Sequence, residues 1–457
     1  MAGGSGLTTA LRPLRFAGSF FPAGPAALGA AVDRAMAGAE GLTAGAAPRA
    51  VIAAHAGYAY SGRFAGLSHG VVPARPGRAA ILSPSHRLAF HGIAFPSQDA
   101  FATPIGALPL DRAACEDLAG AGLARELDAA HDDEHGVETQ LPFLARAWPG
   151  LAVVPLVIGG AAPGQVTAVI DRLDDGATLF VLSSDLSHFL DDGQARAIDA
   201  ETARLIERGE TRGLDGSHAC GWQGVAGWLG SRAGGRTRAL RLGMGNSGAV
   251  SGDLESVVGY GAWAFYDLAD EVLSPAQRHA LLGAAREAVT RAAAGEAPPA
   301  VPGDAPAPLM TEAASFVTLM RDGKLRGCMG SLEPRGPLIG DVLHNARAAA
   351  LHDPRFPRVT AEEVAGLRLK ISVLTLAAAM EAGSEAEALA ALVPGRDGLI
   401  LEEGDRRATF LPAVWDSLPE PAVFLRELKR KAGLAAGHWS DRIRLSRYRA
   451  EEFGEDG

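Results

Sequence analysis

Up to about Asp270, short apolar runs alternate with amphipathic stretches, and few folds tolerate that alternation. Ala50–Ala54, Ala79–Ser83, Leu151–Ile158, Thr178–Leu182 and Val257–Phe265 read as buried strands. Arg63–Val72, Asp111–Leu123, Val137–Trp148, Gln165–Leu173, Ala195–Glu207 and Gly221–Leu229 space their apolar residues as helices do. Such an order predicts an α/β domain, a mainly parallel sheet flanked by helices.

A different organisation follows. Residues 295–309, GEAPPAVPGDAPAPL, hold five prolines and can keep neither a helix nor a sheet ladder, so they read as a semi-extended connector. Before them, Leu273–Ala294 starts with Ser274-Pro275, good residues for a helix cap and first turn. Asp322-Gly323 and Gly404-Asp405 are hairpin turn signals, and Leu338–His352 and Ala422–Ala432 read as helices. This half is expected to be α+β. The expected division is 1–270 and 271–457, with the connector after the second domain's first helix.

Composition closes off several functions. A net charge of -10 over 457 residues argues against a globally basic nucleic-acid binder. The stretch 421–450 does carry eight Lys/Arg against two acidic residues, but few aromatics interleave them, and solvated arginines account for it better. No run approaches a membrane span and no signal-peptide run follows Arg12 and Arg15, so a soluble cytoplasmic protein with no membrane partner is expected. The three cysteines, Cys115, Cys220 and Cys328, make no disulfide framework and no four-cysteine cluster. Lysine first occurs at Lys324, so the preceding region offers no Schiff-base or Walker-type lysine.

Histidine is placed more suggestively. His55, His86 and His188 each stand in a segment following a predicted strand, where open α/β sheets form their ligand crevice. His135 precedes a predicted helix, in Asp132-Asp133-Glu134-His135. Three neutral imidazoles, with or without a carboxylate, suit Fe(II), Zn(II) or copper. The bland account of any one of them is a hydrogen-bonded loop residue.

The segments AGSFFPA at 17–23, HAGYAYSG at 55–62, SPSH at 83–86, EHGVETQLPFL at 134–144, SSDLSH at 183–188 and ACG at 219–221 resemble, in this order, the Memo family. The resemblance spans roughly 14–268. It implies a fold similar to the class III extradiol dioxygenases, which use non-haem Fe(II), with copper as the other ion to consider. By the same resemblance His55 and His86 correspond to metal-binding histidines, while Asp185, His188 and His135 line the same pocket. Some Memo proteins offer a cysteine near the final strand; here 244–253 has none, and its only carboxylate is Asp253. His188 or Asp185 is the expected substitute, or else water completes the site. Segments that usually read EHS have Gly136 here, and His218 precedes the Ala-Cys-Gly. Cys220 stands at a predicted helix start, where dipoles can activate a thiol, but it reads better as a small buried hydrophobe, and Cys115 as structural.

FVTL at 316–319, LRGCMGSLEP at 325–334, HDPRFP at 352–357, LKISVL at 369–374 and GRDGLI at 395–400 resemble the AMMECR-type domain over about 272–450. Proteins with these two modules are grouped with a radical SAM protein as the AmmeMemoRadiSam system, and this chain resembles its B and A components fused. It has no radical SAM cluster motif, so that partner would be a separate polypeptide. Arg326 and Cys328 are the residues of this half most open to chemistry, since an arginine beside a thiol can stabilise its thiolate. A packed strand needing small residues is the plainer reading. The resulting expectation is a metal-binding, oxidoreductase-like component acting with a radical SAM protein on a small-molecule or protein substrate. There, His135 or His188 would move a proton beside Asp185. The competing expectation is a non-catalytic iron- or copper-binding or scaffolding protein.

Overall fold

All five apolar runs of the first region form strands in the computed structural model, which describes residues 10–380 and 382–455. The chain divides into two units between Ser274 and Pro275. The first unit is built on a nine-stranded sheet of β1 (Ala50–Ala53), β2 (Arg78–Pro84), β3 (Ile93–Phe95), β4 (Arg125–Glu126), β5 (Val153–Ile158), β6 (Thr178–Ser183), β7 (His188–Leu190), β8 (Thr237–Asn246) and β9 (Val257–Asp267). Their order is β7-β9-β1-β6-β2-β5-β3-β4, with β8 also beside β9.

Only the centre of this sheet follows the expected parallel pattern. Strands β1, β6, β2 and β5 run parallel in sequence, and so do β3 and β4. In contrast, β9 is antiparallel to β1, β7 and β8, and β3 is antiparallel to β5. The sheet is therefore mixed rather than strictly parallel, with its parallel strands at the centre. The reason is connection length. The link β8–β9 is too short to carry a crossover, and a short link can join only antiparallel neighbours.

Both faces of the central strands are buried, as continuous apolar runs require. Val51, Ile81, Val153 and Val181 share one core with Phe64 and Leu67 of the helix Tyr58–Gly70. Ile52, Leu82, Leu156 and Phe180 share the other with Val166, Ile170 and Trp228 from the helices Pro163–Leu173 and Trp222–Leu229. A further helix, Pro25–Ala37, lies against Tyr58–Gly70 at Gly66, where a Cβ would come within 2.4 Å of the Ala35 carbonyl carbon. The expected helix 137–148 is split into His135–Glu138 and Leu141–Ala147. Pro142, at the start of the second piece, has no N–H to continue the first.

The second unit is α+β. Strands β10 (Ala314–Arg321) and β11 (Lys324–Gly330) join through Asp322-Gly323, whose φ values of 48° and 73° suit a type I′ hairpin. With β12 (Leu367–Leu374) they form part of one antiparallel sheet. A second contains β13 (Ala378–Met380), β14 (Gly398–Glu403), β15 (Arg406–Phe410) and β16 (Arg444–Tyr448), while β17 (Ala450–Gly454) closes the first. The helix Pro275–Ala293 lies against Leu338–Leu351, which also packs on β10. Between Ala293 and Ala307 there is neither helix nor strand. Among the described residues, no helix is long and apolar enough to cross a membrane.

Candidate metal centre

Register positions the site. Ala53 of β1 pairs with Ser183 of β6, and β2 runs beside β6, so the ends of the three strands come together. The segments beyond them carry His55, His86 and Asp185–His188. Helix His135–Glu138 brings His135 to the same place. Ring nitrogens of His55, His86 and His135 all lie within 4.8 Å of one another.

Hydrogen bonding fixes how two of these rings face. Glu134 is buried and caps the short helix by accepting the Gly136 N–H at 2.8 Å. It also accepts from His86, at 2.8 Å from the backbone N–H and 2.8 Å from Nδ1, and faces His135 Nδ1 at 3.6 Å. Burial opposes ionisation of Glu134, but the hydrogen bonds it accepts from His86 and Gly136 outweigh it and hold the carboxyl down at about 2. An ionised carboxylate can only accept, so His86 Nδ1 carries the proton and Nε2 presents its lone pair.

His55 is fixed through Ser183. The Ser183 hydroxyl donates to the Gly136 carbonyl at 2.6 Å and accepts from Gln140 Nε2 at 3.0 Å. Its one proton is used, so at 2.9 Å it accepts from His55 Nδ1–H. His55 Nε2 is again the free lone pair. The third ring, His135, packs on Phe20 and His86 at centroid distances of 4.7 and 4.3 Å, and its Nδ1 is buried with no hydrogen-bond partner. Burial and the neighbouring imidazoles push His55 and His135 down to about 3, so both are neutral near pH 7. Neutral imidazoles with an orphaned nitrogen and a carboxylate behind one ring are what a transition metal requires.

The other expected residues sit differently. His188, half-buried at the start of β7, and the buried Asp185 are outside the three-histidine cluster. Asp185 Oδ1 accepts the His55 backbone N–H at 2.8 Å, and burial raises its carboxyl to about 6. Cys328 lies on β11 in the second unit, half-buried, accepting from Thr318 Oγ1 at 3.3 Å, and its N–H bonds Asp353 at 2.8 Å. Arg326, expected beside that thiol, makes a two-pronged pair with Glu363 at 2.9 and 3.0 Å instead. The roles of Glu134, Ser183 and Gln140 were not readable beforehand. All three stand inside the family-like segments 134–144 and 183–188, but nothing in those segments pointed to their hydrogen bonds. Cys220, read as a buried hydrophobe, places its Sγ 3.2 Å from His55 Nε2.

Asp199, buried on the helix Asp192–Glu207, anchors the loop after β6 by accepting the Ser187 N–H at 3.0 Å. Burial raises its carboxyl from 3.8 to about 6. A raised acid binds its proton more tightly in the folded state. Its contribution to stability is therefore full below 3.8 and lost as pH rises through about 6. Asp199→Asn removes this term and keeps an acceptor, so it is expected to stabilise the protein above pH 6 by on the order of 1–3 kcal/mol. Melting curves of both proteins from pH 4 to 8 check this. Parallel curves, with no gap opening as pH rises, would count against it.

With this geometry in place, comparison with known proteins is direct. A family model described as Memo-like protein matches residues 12–264, and one described as AMMECR1 matches 282–453. A MEMO1 family protein of Methanosarcina barkeri is 32% identical over 225 residues, 46% of this chain and 83% of that protein. A Methanothermobacter thermautotrophicus protein is 37% identical over 191 residues, 40% of this chain and 97% of the other. A Pyrococcus horikoshii protein of known structure is 34% identical, covering 38% of this chain and 90% of its own, with a TM-score of 0.36. The chain belongs to the Memo-like family and carries an AMMECR1 domain behind its Memo-like domain.

Proposed function

We propose that this chain is a metal-binding protein whose Memo-like domain holds one transition-metal ion on His55, His86 and His135. Fe(II) is the proposed ion and copper the alternative. The observation that carries this reading is the convergence of three imidazoles, two held neutral by burial and the third backed by Glu134. The finer proposal is a non-haem iron, dioxygenase-like oxidoreductase within an AmmeMemoRadiSam-type system, acting with a separate radical SAM protein. Bound here, the ion would supply a Lewis acid and a redox centre for substrate oxygen and dioxygen. Phe16 and Phe20 screen His135 from water on one side. His188, half-buried at the start of β7, would hold or move a substrate proton.

A second reading has one observation in its favour. Asp185, the carboxylate that a two-histidine, one-carboxylate triad would use, is engaged with the backbone of His55 and lies outside the cluster. That favours a protein that binds iron or copper, or holds partners, without turnover. Metal analysis of the full chain purified anaerobically tests the shared claim, with about one equivalent of iron or copper expected. An oxygen-uptake screen with catechols and other phenols then separates the two. Uptake above the metal-free control supports the enzyme, and bound metal without uptake supports the binding protein. Absence of both metals at stoichiometric level, even after reconstitution, would overturn both.

A further inference from the structure

We infer that His69, a buried histidine outside the metal cluster, is a positioning residue for the metal: acting through Gln140, it fixes where His55 stands against His135. This role rests on the proposed metal-binding reading and goes beyond it.

His69 lies in the last turn of the helix Tyr58–Gly70, wholly buried, with its ring stacked on Phe143 at 5.1 Å and 7°. Its Nε2 is 2.9 Å from Gln140 Oε1. The far end of that amide settles which atom carries the proton. Gln140 Nε2 faces the carbonyls of Ala53 at 3.3 Å and Ala54 at 3.1 Å, and a carbonyl can only accept. The amide nitrogen therefore belongs on that side and Oε1 on the other, so His69 Nε2–H donates to Oε1. Burial pushes the His69 pKa down to about 4, so the ring is neutral near pH 7 and this is its single ring N–H. Nδ1 is left buried with no hydrogen-bond partner. A ring needed only for packing on Phe143 would be better apolar, because an unpaired buried nitrogen is a cost. What the imidazole adds is the one N–H that Gln140 receives.

Gln140 in turn holds the parts that meet at the site. Ala53 and Ala54 lead directly into His55, and Gln140 binds both of their carbonyls. Its third contact, 3.0 Å to Ser183 Oγ, is with the hydroxyl that receives His55 Nδ1–H. Gln140 also stands just past the helix His135–Glu138, its own N–H bonding the Val137 carbonyl at 3.1 Å. One residue thus ties the strand end carrying His55 to the short helix carrying His135, and the two ring centroids are 5.3 Å apart. The contacts of Gln140 Nε2 leave the amide oxygen without a donor, and His69 supplies it. Without that N–H, Oε1 is a buried unpaired carbonyl, and the amide turns to find a donor and loosens its hold on Ala53 and Ala54. His55 then shifts against His135 with neither ligand changed, and outer-shell losses of this kind weaken metal sites.

Cobalt(II) binding to the full chain is the test, with wild type, His69→Leu and His69→Gln. Glutamine carries an amide N–H that can replace the imidazole donor, whereas leucine only fills the space. His69→Leu is expected to bind Co(II) about 10–100-fold more weakly than wild type, and His69→Gln to stay within a few-fold of it. Affinities are read by chelator competition where circular dichroism shows the chains folded, so a loss of stability alone does not move them. Unchanged affinity in His69→Leu overturns the role. So does an equal loss in both variants, which would place the effect in packing. In either case wild type still binds Co(II) and the histidine site stands, whereas failure of wild type to bind it removes the metal-site reading as well. Should His69→Leu not fold, nitrogen-15 NMR of metal-free wild type labelled at histidine decides. A proton on His69 Nε2 supports the link to Gln140, and a proton on Nδ1 overturns it.

Discussion

Replacing His55 and His86 together with alanine is expected to take bound iron or copper from about one equivalent to background while leaving the fold intact. Loss of a single outer-shell partner typically weakens a metal site by about 10–100-fold. Removing two of three convergent imidazoles costs far more, and one remaining ring cannot hold an ion against solvent. The fold should tolerate the change. Ser183 keeps Gln140 as donor and the Gly136 carbonyl as acceptor after His55 is gone. Glu134 loses one contact with His86 but keeps the N–H groups of residues 86 and 136. The stability cost should be on the order of 1–3 kcal/mol. Elemental analysis beside circular dichroism measures both quantities. Unchanged metal stoichiometry in a folded double variant would remove these histidines from the site.

The second large effect concerns Glu138→Ala. Glu138 is 1% exposed and gathers Arg12 Nη1 at 2.6 Å, the Arg15 N–H at 3.0 Å and the Phe16 N–H at 2.9 Å. It thus ties the segment 12–16 to the helix bearing His135. Alanine would leave the buried Arg12 guanidinium its His131 carbonyl but no counter-charge, and would free two amides, at a cost of about 3–5 kcal/mol. For a unit of this size that corresponds to a fall in Tm of roughly 10 °C. Glu138→Gln retains an acceptor and should lose less. The unfolding midpoint of the first unit in urea measures the difference, and a midpoint unmoved by Glu138→Ala would show that this carboxylate holds nothing.

The central strands were legible because burial on both faces leaves an unbroken apolar run, as at Val153–Ile158. The sheet edges were not. Strand β8 carries Arg238, Arg241, Gly243 and Gly245, and this mixture hides a ten-residue strand whose partner β9 supplies the missing context. The helix Pro25–Ala37 was missed for a similar reason. Its alanines and glycine give little periodicity, and close approach at Gly66 settles its place. At the site, sequence motifs singled out His55, His86, His188 and His135, because each stands beyond the end of a strand or at the start of a helix. They could not separate His135 from His188, which requires knowing that β7 leads away along β9. Cys220 was beyond reach, since its 3.2 Å contact links residues 165 positions apart.

Gly136 carries one more consequence, for how this sequence can change. A Cβ there would fall 2.2 Å from Ser83 Oγ, which bonds the Pro84 carbonyl at 3.0 Å inside the core. Positions 83 and 136 are therefore coupled: a side chain at 136 requires the Ser83 hydroxyl to turn away or to be removed, so Gly136→Ser is expected to cost less where residue 83 is alanine than where it is serine.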